Sequence, residues 1–241
     1  MSSPLTYIFP TLLDLLLPRC CPVCGKRLIG GETLVCSKCA FSYNMEGVFE
    51  DNQNNYMTNV LSGQFNIKRA NALFKYIPKE GLAYLIYELK YNQRPDIGIM
   101  LGRKAALSLE SSGFFDGITC VVPVPITKKR SRGRGYNQSE MLAKGISEIT
   151  GIPVNTQLLK RTSFGQSQTK VGKLWRRDNV EKAFMRKSDQ DLEGTHLLLV
   201  DDVFTTGSTM IQCAKALTGD TFPKGRSVEI SVLTMGLAHW K

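Results

Sequence analysis

Residues 197–209 read Leu-Leu-Leu-Val-Asp-Asp-Val-Phe-Thr-Thr-Gly-Ser-Thr, and this run restricts the fold more than any other stretch of the chain. Four consecutive apolar residues that meet two acids read as a strand buried on both faces and ending at a polar rim. A hydroxyl- and Gly-bearing loop follows, and Ser208–Leu217 then has helical spacing. In open α/β sheets, ligands bind beyond the carboxyl ends of the strands. A helix start offers free N–H groups and the positive end of the helix dipole, which suit a phosphate. Gly207 lets backbone approach an anion closely, and Thr205, Thr206, Ser208 and Thr209 add hydroxyl donors. Asp201 and Asp202 would repel the phosphate itself. Ionised carboxylates are acceptors, however, so they suit sugar hydroxyls beside it. A ligand with a phosphate at one end and a vicinal diol nearby, a ribose 5-phosphate, fits both halves of the run. A lone Asp-Asp pair would read more simply as helix-capping acids; the complete run argues against that.

The rest of the chain alternates in the same manner. Ala70–Ile77, Ile118–Pro123 and Val228–Leu233 read as strands. Gly81–Tyr91, with Leu82, Leu85, Ile86 and Leu89 at helical spacing, reads as a helix, as do Asp96–Leu109 and Asn137–Thr150. Alternation of this kind predicts an α/β fold with a mainly parallel sheet and helices on both faces. At 241 residues and 42% hydrophobic content, the chain can bury one sizeable core and carry a small second module.

Charge locates the rest of the candidate chemistry. Lys and Arg number 31 against 21 Asp and Glu, a net +10, which points to anionic partners such as phosphates or nucleic acid. In residues 1–50 the charges cancel, so the excess lies beyond them. One basic stretch follows Val122-Pro123-Val124-Pro125. It contains Lys128, Lys129, Arg130, Arg132 and Arg134 and leads into Gly135-Tyr136-Asn137-Gln138-Ser139. This reads as a strand end, a Pro-stiffened turn, a basic loop and a helix start. Arginine forks there suit a pyrophosphate or a nucleic-acid backbone. A solvated loop is the plainer reading of a charge run, but Arg-Gly-Tyr-Asn-Gln-Ser is more specific than such a loop requires.

The second basic stretch, 160–187, carries Arg161, Gln168, Lys170, Arg176 and Arg177 and has no core pattern before Val180. Loops this long inside a compact domain are functional or disordered. It reads as a lid closing over a bound ligand to exclude water, with a mobile insertion as the alternative. Trp175 within it suits stacking on a base or on single-stranded DNA, or plain packing.

The N-terminal part of the chain is organised around cysteine. Cys21-x2-Cys24-x11-Cys36-x2-Cys39 places two thiol pairs on two tight turns, the pattern of a structural four-cysteine zinc site, with iron as second choice. Cys20 could replace Cys21 as a ligand. Cys120 and Cys213 fall in a strand and a helix and read as small buried apolar residues. His196 and His239 have no patterned partner. Ahead of the cysteines, Ile8, Phe9, Leu12, Leu13, Leu15, Leu16 and Leu17 form a stretch too short for a membrane span and broken by Pro10, Asp14 and Pro18. It lacks a basic n-region and a cleavage site, so it reads as a short amphipathic packing helix of a cytoplasmic protein rather than a signal peptide. The expected division is a zinc module over 1–50, a polar linker over 51–66 and an α/β domain over 67–241.

The Leu197–Thr209 run resembles the binding motif for 5-phosphoribosyl 1-diphosphate (PRPP) of type I phosphoribosyltransferases. Together with the basic segments, Leu89-Lys90-Tyr91 and the Pro18-Arg19-Cys20-Cys21-x-x-Cys24-Gly25 opening, it resembles the competence protein F family over nearly the whole chain. The resemblance implies a type I phosphoribosyltransferase fold fused to a zinc ribbon. It implies Asp201 and Asp202 as the catalytic acids on the ribose hydroxyls, and Thr205, Thr206, Gly207, Ser208 and Thr209 as the 5-phosphate site. Lys128, Arg130, Arg132 and Arg134 would meet pyrophosphate or nucleic acid, and Arg161, Gln168, Arg176 and Arg177 would belong to the lid. Oxopurine enzymes with this motif carry an Asp where Thr205 stands, so that subclass is disfavoured. The expected cofactors are structural Zn2+ and the Mg2+ that accompanies PRPP. The expected activity is transfer of ribose 5-phosphate to an amine or nucleobase, in DNA uptake and natural transformation alongside competence-machinery proteins. The alternative is a non-catalytic protein that binds single-stranded DNA or senses PRPP.

Overall fold

The computed structural model describes residues 18–43, 45–162, 183–187, 191–219 and 228–238. In chain order the elements are α1 (Ser37–Tyr43), α2 (Tyr56–Leu61), β1 (Ile67–Lys75), α3 (Ala83–Tyr91), α4 (Pro95–Leu109), β2 (Cys120–Pro123), α5 (Lys128–Arg134), α6 (Gln138–Thr150), β3 (Leu159–Arg161), β4 (Phe184–Arg186), β5 (His196–Phe204), α7 (Ser208–Thr218) and β6 (Glu229–Leu237). The main sheet has the order β1-β6-β5-β2, and every pairing in it is parallel. Strands β3 and β4 form a separate antiparallel ribbon.

The apolar run 197–200 is explained by this placement. β5 lies inside the sheet with a covered layer on each side, so neither set of alternate side chains meets water. Leu198 and Val200 pack with α3, α4 and α6, whereas Leu197 and Leu199 pack with α2 and α7. The four residues are at most 1% exposed. The cysteine module shares the first of these cores through Cys21, Leu28, Val35, Cys36 and Cys39. Too short to bury a core alone, it borrows one from the sheet domain.

Glycine sets the closest helix contact. An added Cβ on Gly145 of α6 would stand 2.0 Å from the Ile99 carbonyl oxygen of α4, and one on Gly102 would stand 2.1 Å from that of Leu142. The two backbones therefore touch where side chains normally intervene. Asn137 caps α6 by accepting from the Ser139 N–H, and Gly151 closes the helix in the left-handed conformation.

Three details differ from the sequence-based expectation. First, residues 51–66 include helix α2, with Met57, Leu61 and Phe65 at most 1% exposed. The polar residues before it are consumed in bonding: Asn55 caps α2 and donates to the Ala70 carbonyl, and Asn71 donates to Asn52. Second, the basic segment is a short helix, α5, because the Thr127 side chain caps the Arg130 N–H and Gly135 (φ 79°) ends it. Third, β5 does not stop at Val200 but runs through both acids to Phe204. Among the described residues, no helix is long and apolar enough to cross a membrane.

Candidate functional site

β2 ends at Pro123, opposite Val200, while β5 continues along β6 through Asp201 to Phe204. The edge of β5 past Val200 is thus freed on the β2 side just where the two acids stand. Consecutive strand residues leave opposite faces of a sheet, so the two carboxylates have different company. Asp202 forms an ion pair with Lys90 at the end of α3, Nζ to Oδ1 2.8 Å. Asp201 Oδ1 accepts from the Ser139 hydroxyl at 3.0 Å and from the Asp202 N–H at 2.9 Å. Burial, and next the charge of Asp202, push the Asp201 carboxyl up to about 7; the two donors and Lys90 act against that rise. Two adjoining carboxylates, one of them reluctant to ionise, are chemically poised to accept from hydroxyls or to face a cation.

The segment 134–139 is largely scaffolding for these acids. The Arg134 guanidinium lies 5.4 Å from the centre of the Tyr91 ring. The Tyr136 hydroxyl donates to the Leu89 carbonyl at 2.5 Å, and the Asn137 amide donates to the Val124 carbonyl at 3.1 Å. Tyr136 thereby fixes the turn that delivers Lys90 to Asp202, while Ser139 holds Asp201. Gln138 is buried, and its Nε2 has no hydrogen-bond partner among the described residues. Sequence reasoning missed Lys90 as a site residue and gave Ser139 no role. Lys90 and Asp202 are separated by 112 positions, so no local spacing could pair them.

Thr205–Gly207 form a loop, and Ser208 and Thr209 are the first two residues of α7. Gly207 has φ +76° and precedes α7 without a side-chain cap, so the first N–H groups of that helix have no capping side chain. An added Cβ there would meet Phe204 Cζ at 3.0 Å and Val60 Cγ1 of α2 at 3.1 Å. The loop is seated on α2, and both the backbone twist and the close seat require Gly. Thr205, Thr206 and Ser208 are exposed, and the Thr206 and Ser208 hydroxyls are 2.7 Å apart.

Helix α5 leaves the adjacent strand, β2, at the same end of the sheet. Lys128, Arg130 and Arg132 are exposed on it, and Arg134 is half-buried. Arg161 closes β3 with its guanidinium 5.0 Å from the centre of the Phe184 ring. The other expected lid residues, Gln168, Arg176 and Arg177, lie outside the described residues, as does Trp175.

The Sγ atoms of Cys21, Cys24, Cys36 and Cys39 all lie within 4.8 Å of one another, with Cys24 and Cys36 at 3.6 Å. Tetrahedral Zn–S bonds of about 2.3 Å require sulfur–sulfur edges of about 3.8 Å, so the set fits that ion. Burial and the neighbouring thiols hold the Cys39 thiol well above its ordinary range, which makes a cation the natural means of deprotonating the cluster. Cys20 stands apart, exposed and directed at the Pro18 carbonyl. Cys213 is fully buried as expected, whereas Cys120 is only half-buried. His196 is buried beside the Ser231 hydroxyl at 2.8 Å, a packing role.

No family model matches the chain. It is 30% identical to DNA utilization protein YhgH of Escherichia coli K12 over 139 residues, 56% of this chain and 60% of that protein. It is 30% identical to Competence protein F of Haemophilus influenzae over 142 residues, 57% and 62% of the two chains. It is 29% identical to Competence protein ComFC of Bacillus subtilis over 115 residues, 48% and 43% of the two. The chain thus spans about three-fifths of the first two relatives. Among solved structures, adenine phosphoribosyltransferase from Leishmania tarentolae aligns over 75% of this chain and 88% of that one, at 11% identity and TM-score 0.30. The homologues of this protein include proteins named for competence and for DNA utilization.

Proposed function

We propose that the protein binds PRPP at the carboxyl end of β5 and transfers its ribose 5-phosphate group to an amine or nucleobase, releasing pyrophosphate. The observation that carries this reading is the meeting of three features at one sheet edge. These are the Asp201–Asp202 pair, the uncapped start of α7 and the cations of α5. The 5-phosphate rests on the backbone and hydroxyls of Thr205–Thr209, the ribose hydroxyls donate to Asp201 and Asp202, and the diphosphate meets Lys128, Arg130, Arg132 and Arg134. As pyrophosphate departs, positive charge grows on the sugar, and the two acids are positioned to stabilise it. Mg2+ bound together with PRPP would offset the charge of the departing pyrophosphate beside Lys128, Arg130, Arg132 and Arg134. Cys21, Cys24, Cys36 and Cys39 would hold Zn2+ in a structural role, because four thiolates leave no open coordination position. Thr205 in place of an acid favours an acceptor other than an oxopurine. The names of the homologues support a place in competence or DNA utilization, and a cytoplasmic location alongside competence-machinery proteins is part of the same proposal.

The test is thermal unfolding with PRPP and Mg2+, followed by a pyrophosphate-release screen of amines and nucleobases. At a ligand concentration of about 100 Kd, stabilisation of about 2.7 kcal/mol is expected for the wild type, and none for Asp201→Asn combined with Asp202→Asn. A wild-type protein indifferent to PRPP overturns the reading.

A second reading, binding of single-stranded nucleic acid, is favoured by one surface. Tyr84, Tyr87 and Tyr91 form an exposed stripe along α3 next to the cations of α5. Aromatic platforms beside basic groups suit stacked bases. Such binding weakens with salt at a log–log slope of about −0.7 per phosphate contacted; a flat salt response excludes it.

A further inference from the structure

We infer that Lys90 is an exchangeable counter-ion that makes the site prefer a sugar diphosphate over a sugar monophosphate. It pairs with Asp202 while the site is free and moves to the diphosphate when ribose hydroxyls take its place on the acids. The inference rests on the PRPP reading and adds a specificity-determining residue to it.

The site contains a conflict of charge. Two adjacent carboxylates are needed for the diol, yet they repel the polyanion that carries it. A cation that neutralises the acids in the free site and then follows the ligand's charge removes the conflict without a fixed positive group. Lys90 meets each requirement. Its Nζ is 2.8 Å from Asp202 Oδ1, and the two side chains are 23% and 15% exposed, so the pair is shielded but reachable. An ammonium on a four-carbon stem can re-aim without moving its helix, which a bidentate guanidinium fork does poorly. The helix is held still: Leu89 is fully buried, its carbonyl accepts from Tyr136, and Arg134 stacks over Tyr91. Lys90 also sits in the last turn of α3, where the helix dipole favours a cation. The charged and titratable groups around the pair are Asp201 on β5, Arg134 at the end of α5 and Tyr136 between α5 and α6; Ser139 of α6 adds an uncharged donor, and Cys213 of α7 lies on the Asp201 side. Of Lys90 and Arg134, Lys90 is the one paired with an acid among the described residues.

The test compares PRPP and ribose 5-phosphate, each with Mg2+, in calorimetric titrations of wild type, Lys90→Gln and Lys90→Arg from about pH 6 to pH 8.5. Zinc content and thermal midpoint serve as the check of folding. Lys90→Gln is expected to weaken PRPP by about ten-fold or more while changing ribose 5-phosphate much less. Loss of the cation also makes Asp201 harder to ionise, so the midpoint of the pH dependence of ribose 5-phosphate binding moves up. Lys90→Arg is expected to restore the preference in part. An independent variant, Asp202→Asn, frees Lys90 and is expected to bind inorganic pyrophosphate more tightly than wild type does. If wild type distinguishes the two sugars and Lys90→Gln keeps both that ratio and the pH midpoint, the inference is wrong and the PRPP reading stands. If Asp202→Asn leaves pyrophosphate affinity unchanged, the exchange is likewise refuted. If wild type binds neither sugar, the PRPP reading falls and the inference falls with it.

Discussion

At pH 8, Asp201→Asn is expected to stabilise the ligand-free protein by about 1–3 kcal/mol while removing its response to PRPP. The magnitude follows from the carboxyl's surroundings. Burial first and the Asp202 charge second raise it from its ordinary 3.8 to about 7. In the unfolded chain the same group titrates near 3.9, about three pH units lower. Below about pH 4 it is protonated in both states and carries no penalty. As pH rises from about 4 to about 7, the unfolded chain gives up its proton more readily than the folded one, and stability is lost throughout that window. Each pH unit corresponds to about 1.4 kcal/mol, so the loss has a ceiling of about 4 kcal/mol at pH 8. Local relaxation and the site's partial exposure to water reduce it. Asn has the same shape and still accepts from the Ser139 hydroxyl and the Asp202 N–H, so the substitution leaves those bonds in place. Urea unfolding of both proteins at about pH 5 and pH 8 measures the effect. The advantage of the variant should be small at the lower pH and grow at the higher. A variant less stable than wild type by the same amount at both values would refute the assignment of Asp201 as a strained acid kept for a ligand.

Two further substitutions test the frame around the site. Gly145→Ala places a Cβ 2.0 Å from the Ile99 carbonyl oxygen, forcing α4 and α6 apart. The better helix propensity of Ala returns about 1 kcal/mol, and overpacking outweighs it, for a net loss of about 1–2 kcal/mol. A raised melting temperature would show that the two helices are not in backbone contact. For the metal, Cys39→Ser should abolish bound zinc and lower the melting temperature, whereas Cys20→Ser should change neither. Zinc assays of the two purified variants decide between Cys20 and Cys21, and loss of zinc on removing Cys20 would overturn the ligand set.

Much of this protein was legible without coordinates because its strongest signals are local. The Leu197–Val200 run reads as a doubly covered strand, the Gly207 loop as a turn into a helix, and the paired Cys-x2-Cys spacings as two thiol-bearing turns. In each case a few neighbouring residues fix backbone conformation or burial by themselves. Helix α2 was less legible: at six residues it is too short to display a period, and the Asn residues before it read as solvated polarity until their partners on β1 are known. The basic segment read as a loop because helix α5 has no buried face to impose periodicity.

By itself the sequence determined the alternation of strands and helices, the acid-bearing strand end and the four thiols. Only the tertiary structure decided which distant groups meet there. It brought Lys90 to Asp202 across 112 positions and Ser139 to Asp201 across 62, and it seated Gly207 on α2. The physical reason is that backbone conformation is set by neighbours in the chain, whereas the charge state and company of a buried carboxylate are set by whatever the fold packs against it.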